Sequence, residues 1–331
     1  HDVLARVSHL DRQYPDDFKV LPIRGYAEPH TLTLDLGGDG RMGRWGDGET
    51  GGRGDEEMGA RGASPRPPVS PSPTLLLLTG WTDYAWSSDN VAASQRGLEM
   101  RPPSLQVKDE EGKWQTVVAN VGIPVGRPQT LVVDLTGKFL SASREVRIAT
   151  NMRVYWDRIL VASDGDRVPL RLTRLDPVSA DLRWRGFSKE VTPDGREPFS
   201  YDYARVSLDS PWKAFPGRYT REGDVRELLK TTDDVFVVSR AGDEISLSFD
   251  AAALPALPEG WTRTFLFYAD GFSKEMNIHS SSPDQLAPLP YHGMKAYPYA
   301  PPEANGLKAE RGDYVERFNT RVVARPLPTL R

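Results

Sequence analysis

The sequence predicts an all-β protein of two β-sandwich domains, the first a jelly roll of galactose-binding-like type, with few short helices. Three observations predict it. Between Thr74 and Val161 the chain falls into short runs of alternating apolar and polar residues, separated by turn-forming residues. Nothing in that region sustains the 3.6-residue period of a long helix. The second half continues with β-like runs.

The elements follow in chain order. Val3, Leu4, Val7 and Leu10 recur at helical spacing, and Pro15 stops the pattern. Residues 1–24 therefore read as an N-terminal segment with a short helix, or as the remnant of a preceding domain. His30–Leu36 (HTLTLDL) alternates as a strand does. Composition then changes sharply. Residues 37–73 are Gly, Arg, acidic residues and Pro with almost no aliphatic side chains. Such a segment cannot bury enough apolar area to offset the entropy of ordering it, so it reads as a disordered insertion in a first domain spanning 25–165. Its Arg53-Gly54-Asp55 tripeptide is what that composition yields by chance.

Strands are expected at Thr74–Thr79, Ser104–Asp109, Lys113–Val118, Thr130–Leu135, Glu145–Ala149 and Arg153–Val161. Asp109–Gly112 (DEEG) joins two alternating runs as a hairpin, and Thr136-Gly137 and Thr150-Asn151 are turn points. In the last strand Val154, Trp156 and Leu160 share one face, with Tyr155, Asp157 and Ile159 on the other. Trp156 is expected in the core.

Ser163–Val168 (SDGDRV) breaks the pattern and marks the boundary to a second sandwich, 166–282. Its expected strands are Leu170–Leu175, Ala180–Phe187, Val235–Ser239, Glu244–Phe249 and Thr262–Ala269. A helix is expected at Gly223–Lys230, capped by Asp224, with Val225, Leu228 and Leu229 on one face. GFSKE occurs at Gly186–Glu190 and again at Gly271–Glu275, either as two related strand–turn units that pair or as coincidence. Residues 283–331 form a Pro/Tyr-rich C-terminal arm, expected to be irregular and to fray toward Arg331.

Bulk properties exclude several function classes. The 42 basic and 46 acidic residues give a formal charge of −4, which lacks the basic excess of a nucleic-acid binder. No polybasic run suits an anionic membrane, and the longest apolar run, Leu75–Leu78, is too short to span a bilayer. The chain has no cysteine, so thiolate zinc sites, iron–sulfur clusters, disulfides and cysteine nucleophiles are excluded. It starts at His1 with no signal peptide, which reads as a processed chain or part of a longer one.

The densest functional signal is GWTDYAWSSDN, Gly80–Asn90, read as a loop at the end of the sandwich. Trp81, Tyr84 and Trp86 offer aromatic faces for a sugar or other flat ligand, and Asp83, Asp89 and Asn90 offer hydrogen-bond acceptors. The same three polar residues could instead donate oxygens to calcium. In the structural alternative, the indoles plug the core and the polar groups cap turns. Asp164-Gly165-Asp166 and Gly37–Gly40 resemble fragments of calcium loops without the EF-hand spacing. None of His1, His9, His30, His279 and His292 pairs at metal-ligand spacing. There is no GxSxG elbow, Walker A motif or strand-following GxGxxG. No carboxylate pair for glycoside hydrolysis can be singled out among the 46 acidic residues.

TLLLLTGWTDYAWSSDNVAASQ, PPSLQVKDEEGKWQTV, GIPVGRPQTLVVDLTGKF and VRIATNMRVYWDRILV resemble the C-terminal part of large bacterial FG-GAP repeat proteins. Those proteins carry an ASPIC/UnbV-type segment and are similar to cartilage acidic protein. LPALPEGWTRTFLFYADGFSKEMN, PLPYHGMKAYPY and YVERFNTR fit the same tail. The resemblance runs over residues 25–321 apart from the low-complexity insertion. It implies an extracytoplasmic protein with a β-propeller upstream, acting in binding or adhesion. The calcium loops of that family lie in the FG-GAP repeat, which this chain lacks, so no metal ligand carries over. The expectation is a non-catalytic module that recognises a carbohydrate or protein partner through Gly80–Asn90. No cofactor is expected, calcium being the one candidate, and neither nucleic acid nor membrane insertion is involved. The alternatives are a structural appendage of a larger surface protein and an enzyme acting on polysaccharides or esters.

Overall fold

A computed structural model describes residues 2–37, 74–163, 171–192, 194–211, 214–300 and 311–324. The chain divides into two compact units, His1–Val168 and Pro169–Arg331. Nearly all of the predicted insertion, its Arg-Gly-Asp tripeptide, Asp164-Gly165-Asp166 and the residues near Arg331 lie outside the described residues. The described residues are β-rich, with antiparallel sheets and two short α-helices.

The first unit carries seven described strands. They are β1 Tyr26–Asp35, β2 Thr74–Thr82, β3 Ser104–Lys108, β4 Trp114–Val118, β5 Gln129–Asp134, β6 Glu145–Met152 and β7 Val154–Ser163. One sheet has the order β1-β6-β3-β4, the other β5-β2-β7, and all pairs are antiparallel. Leu76, Leu78, Val133 and Trp156 from the second sheet share one buried cluster with Leu105, Val107, Val146 and Ile148 from the first. The two sheets therefore face each other as a sandwich, and the alternation of each strand supplies the inward residues. Trp156 is buried in that core, as its sequence position predicts.

The face assignment in β7 needs one correction. Thr79 pairs with Arg158 but Gly80 pairs with Trp156, so Asp157 is an extra residue in the ladder. The bulge inverts the alternation. Val154 and Trp156 face the core before it, Ile159 and Val161 pack on the core after it, and Leu160 is exposed. Asp157 is buried, and its carboxylate accepts the backbone N–H groups of Asp11 (3.3 Å) and Arg12 (2.9 Å).

That carboxylate ties the N-terminal segment to the sandwich. Leu4–Val7 is a single 3-10 turn rather than an α-helix. Val7 is buried in the main core, and Ser8 bridges to Arg158. Residues of 2–24 thus complete the first unit rather than trailing from it.

The second unit holds smaller sheets. Its strands are β8 Ser179–Trp184, β9 Phe187–Val191, β10 Ser200–Ser207, β11 Gly217–Tyr219, β12 Gly223–Asp224, β13 Asp243–Ser248 and β14 Arg321–Val323. They form the orders β12-β8-β13, β10-β9 and β11-β14. A helix over 311–318 buries Tyr314 and Phe318 against Ala180, Leu182, Val225 and Leu228. A second cluster gathers Phe215, Tyr219, Val238, Leu286 and Val323.

Several expectations fail here. Gly223–Lys230 is not an α-helix: it is β12 followed by a 3-10 turn, Arg226–Leu229, with Asp224 accepting the Arg226 N–H at 2.9 Å. Residues 171–175 and Val235–Ser239 are not strands. Val238 is held instead by Thr220, whose hydroxyl accepts its N–H at 2.8 Å. Thr262–Ala269 forms no strand and is exposed throughout. Phe187–Glu190 of the first GFSKE lie on β9 and the second copy lies in no strand, so the two copies do not pair. The C-terminal arm is irregular at first, yet it ends in the helix and strand that close both second-unit cores.

Candidate functional site

Gly80–Asn90 is not a free loop. β2 continues through Thr82, and an α-helix, α1, begins at Ser87 and runs to Gln95. Only Asp83–Trp86 connect them. Gly80 sits opposite the bulge, where an added Cβ would press on the Tyr155 carbonyl and come within 2.9 Å of Trp156 Cε3. Close approach of two backbones therefore selects glycine. The helix starts with Asp89 accepting the backbone N–H of Trp86 at 2.9 Å, which satisfies a donor its first turn leaves unpaired.

Each predicted residue has a defined neighbourhood. Trp81 pairs with Tyr155 across the ladder, and their rings stack at 4.8 Å and 15°. Tyr14 meets both edge-on, at 6.2 Å and 5.9 Å, and Phe18 bridges Tyr155 to His30. The Trp81 indole N–H is turned away from solvent and finds no acceptor among the described residues. Trp81 thus packs the N-terminal segment onto the sheet end.

Asp83 is held by two arginines. Arg24 Nε donates to Oδ1 at 2.7 Å and Arg153 Nη1 donates to Oδ2 at 2.9 Å. The remaining donors of Arg153 reach the carbonyls of Leu21 (2.5 Å), Ile23 (3.2 Å) and Tyr26 (3.1 Å). One planar guanidinium thereby fixes the chain entering β1 to the start of β7.

Tyr84 and Trp86 meet edge-on at 5.1 Å, with the Arg24 guanidinium 5.8 Å from the tyrosine ring and 6.0 Å from the indole. Asn90 accepts the Tyr26 hydroxyl at 2.9 Å. Burial first, and the Asp89 carboxylate second, hold the Tyr26 phenol above its ordinary value, so it stays a donor. The six residues thus divide into an inner packing group around Trp81 and a half-exposed Tyr84–Trp86–Arg24 group. The acceptors of Asp83, Asp89 and Asn90 already have internal donors. A calcium ion there would have to displace two guanidinium groups, and no cluster of three or more His, Asp or Glu able to hold a metal occurs among the described residues.

The structure brings forward aromatic groups that the sequence reading left aside. Phe199 just ahead of β10, and Tyr201 and Tyr203 within it, lie at every second position. They are 40%, 43% and 69% exposed. Phe199 and Tyr201 meet at 5.5 Å and 84°, Tyr201 and Tyr203 at 6.1 Å and 40°. The signal for them was the alternation FSYDY, Phe199–Tyr203.

Comparison with protein-family models, with curated proteins and with solved structures returns no match for this chain, and so nothing that bears on the resemblance to FG-GAP repeat proteins. No helix among the described residues is long and apolar enough to cross a membrane.

Proposed function

We propose that this chain is a non-catalytic, extracytoplasmic binding or adhesion module whose partner is a protein. The observation that carries the reading is the aromatic ridge of Phe199, Tyr201 and Tyr203 on the β9–β10 ribbon. Aromatic side chains supply large contact area at low entropic cost and are enriched at protein interfaces. Phe199 and Tyr201 stand edge to face and Tyr203 is tilted by 40° from Tyr201, so the three make an uneven ridge that fits a pocket better than a flat platform for a sugar ring. A second argument is the internal use of the acceptors in Gly80–Asn90, which leaves few groups there for sugar hydroxyls. The extracytoplasmic setting, and contact with an upstream β-propeller, rest on the resemblance alone.

The test compares wild type with Tyr201→Ser/Tyr203→Ser. Affinity capture from the extracellular fraction should retain a defined protein on wild type and lose it on the variant, while a glycan array stays blank for both. Glycan binding that disappears with Trp86→Ala would favour the carbohydrate reading instead.

A further inference from the structure

Two guanidinium groups, those of Arg24 and Arg153, share the single carboxylate of Asp83. The Arg153 side chain is 15% exposed, and its other donors go to the carbonyls of Leu21, Ile23 and Tyr26. The Arg24 side chain is 44% exposed and engages only Nε, at 2.7 Å from Asp83 Oδ1. Among the described residues its Nη1 and Nη2 donate to no acceptor, and Asp89 forms an ion pair with neither arginine. The Asp83 cluster therefore carries one positive charge in excess, and the open end of Arg24 presents it to solvent. That end is also fixed in place. Gly25 has φ +83° and lies so close to Ala85 that an added Cβ would stand 2.4 Å from the Ala85 nitrogen. This backbone contact sets Arg24 beside the two neighbours of Ala85, with its guanidinium 5.8 Å from the Tyr84 ring and 6.0 Å from the Trp86 ring.

We propose that the Nη1–Nη2 end of Arg24, flanked by Tyr84 and Trp86, is a binding site for a peptide carboxylate. The excess charge selects an anion. The planar fork matches the two oxygens of a carboxylate with two parallel N–H···O bonds. The flanking rings offer contact area to an apolar group carried next to that carboxylate. An acidic sugar fits less well. Its hydroxyls need acceptors, and those of Asp83, Asp89 and Asn90 already hold internal donors. Because Asp83 and the Gly25–Ala85 contact position the guanidinium in advance, little ordering cost remains to be met on binding. A chain terminus and an acidic side chain share this chemistry. The site uses none of the residues of the β9–β10 ridge, so it stands or falls separately from the function proposed above.

The test follows the indole N–H signals of the isotope-labelled full chain by magnetic resonance while probes are added, with the Trp86 signal assigned through Trp86→Phe. The probes are acetyl-Gly-Ala-Phe with a free C-terminus, its C-terminal amide, acetyl-Ala-Glu-Ala amide, the Gln counterpart of that peptide, and glucuronate. At least one carboxylate peptide should shift the Trp86 signal with a Kd of roughly 0.1–10 mM, and its neutral counterpart should bind roughly 10-fold more weakly or worse. The tighter of the two carboxylate peptides tells a chain terminus from an acidic side chain. Arg24→Gln should abolish the shift. Arg24→Lys keeps the charge without the fork and should also weaken binding. Arg24 is exposed and Asp83 retains Arg153, so both variants should keep the wild-type melting temperature. The comparison of acid with amide on wild type needs no variant at all. No shift with either carboxylate peptide, equal binding of acid and neutral counterpart, wild-type affinity in either Arg24 variant, or glucuronate binding as tightly as the peptides would each overturn the proposal.

Discussion

Removing the Asp243 carboxylate should unfasten the C-terminal strand from the second unit. Asp243 opens β13 and Arg321 opens β14. Their side chains are 1% and 17% exposed. The guanidinium grips the carboxylate with both Nη atoms, Nη1 to Oδ1 at 2.9 Å and Nη2 to Oδ2, and the Arg240 N–H adds a bond to Oδ2 at 2.8 Å. In Asp243→Ala the arginine keeps Glu222, at 3.3 Å on a half-exposed side chain, and the Tyr219 ring 6.0 Å away. Breaking a buried pair from one side costs about 3–5 kcal/mol, because the remaining charge stays desolvated. For a unit of this size that is roughly 6–20 °C in Tm, at about 2–4 °C per kcal/mol. Hydrogen exchange followed by mass spectrometry should show faster exchange in 217–219 and 321–323, the paired strands β11 and β14. Asp243→Ala/Arg321→Met, which removes both charges, should be less destabilised than Asp243→Ala alone. A Tm within about 2 °C of wild type, with unchanged exchange at those strands, would refute the reasoning.

Three further outcomes are expected. Gly80→Ala should cost about 1–3 kcal/mol in urea denaturation, because the new methyl meets the Tyr155 carbonyl and the Trp156 ring. Gly271→Ala, with open space around it, should behave as wild type and serves as the control. Asp157→Ala strands the N–H groups of Asp11 and Arg12, so limited proteolysis within residues 2–24 should accelerate markedly. Burial lowers the His30 pKa from its ordinary 6.5, against the opposing pull of the Glu28 carbonyl and Asp17. The unfolded chain then binds a proton that the folded chain rejects, so stability present above pH 6.5 should be lost as pH falls through the lowered folded value. Melting curves of His30→Gln should show a flatter pH dependence over that window, and an identical slope would count against the assignment.

The first sandwich was legible because each strand pairs over several residues and alternates against a shared core. Thr74–Thr79 and Glu145–Ala149 each fall within an observed strand, and Lys113–Val118 matches β4 from Trp114 onward. The bulge at Asp157 was not legible, since the extra residue shows only when β2 is laid beside β7. Helix α1 escaped because SSDNVAASQ has hardly any apolar stripe and buries only Ala93. Its one signal was Asp89 three residues after the capped position. The second unit was harder to read for a different reason. β11, β12 and β14 have two or three residues each, and β11 pairs with a strand about a hundred residues away. Such short non-local pairings leave no periodic trace. Thr262–Ala269 shows the converse, a run of strand-favouring aromatic and aliphatic residues with no ladder beside it. For the candidate site, the residue types of Gly80–Asn90 were legible, but the partners that occupy them were not. Arg24 and Arg153 lie 59 and 70 residues from Asp83 in the chain.

The latch between Asp157 and residues 11–12 has a consequence for where the first sandwich can be cut. A shortened polypeptide beginning at Tyr26 would look complete by its strand inventory. It would nonetheless leave a notch where Val7 sat, bare indole and phenol faces at Trp81 and Tyr155, and an arginine at 153 stripped of two carbonyl acceptors. The smallest autonomous piece of this half of the molecule therefore begins ahead of Val7, well upstream of its first strand.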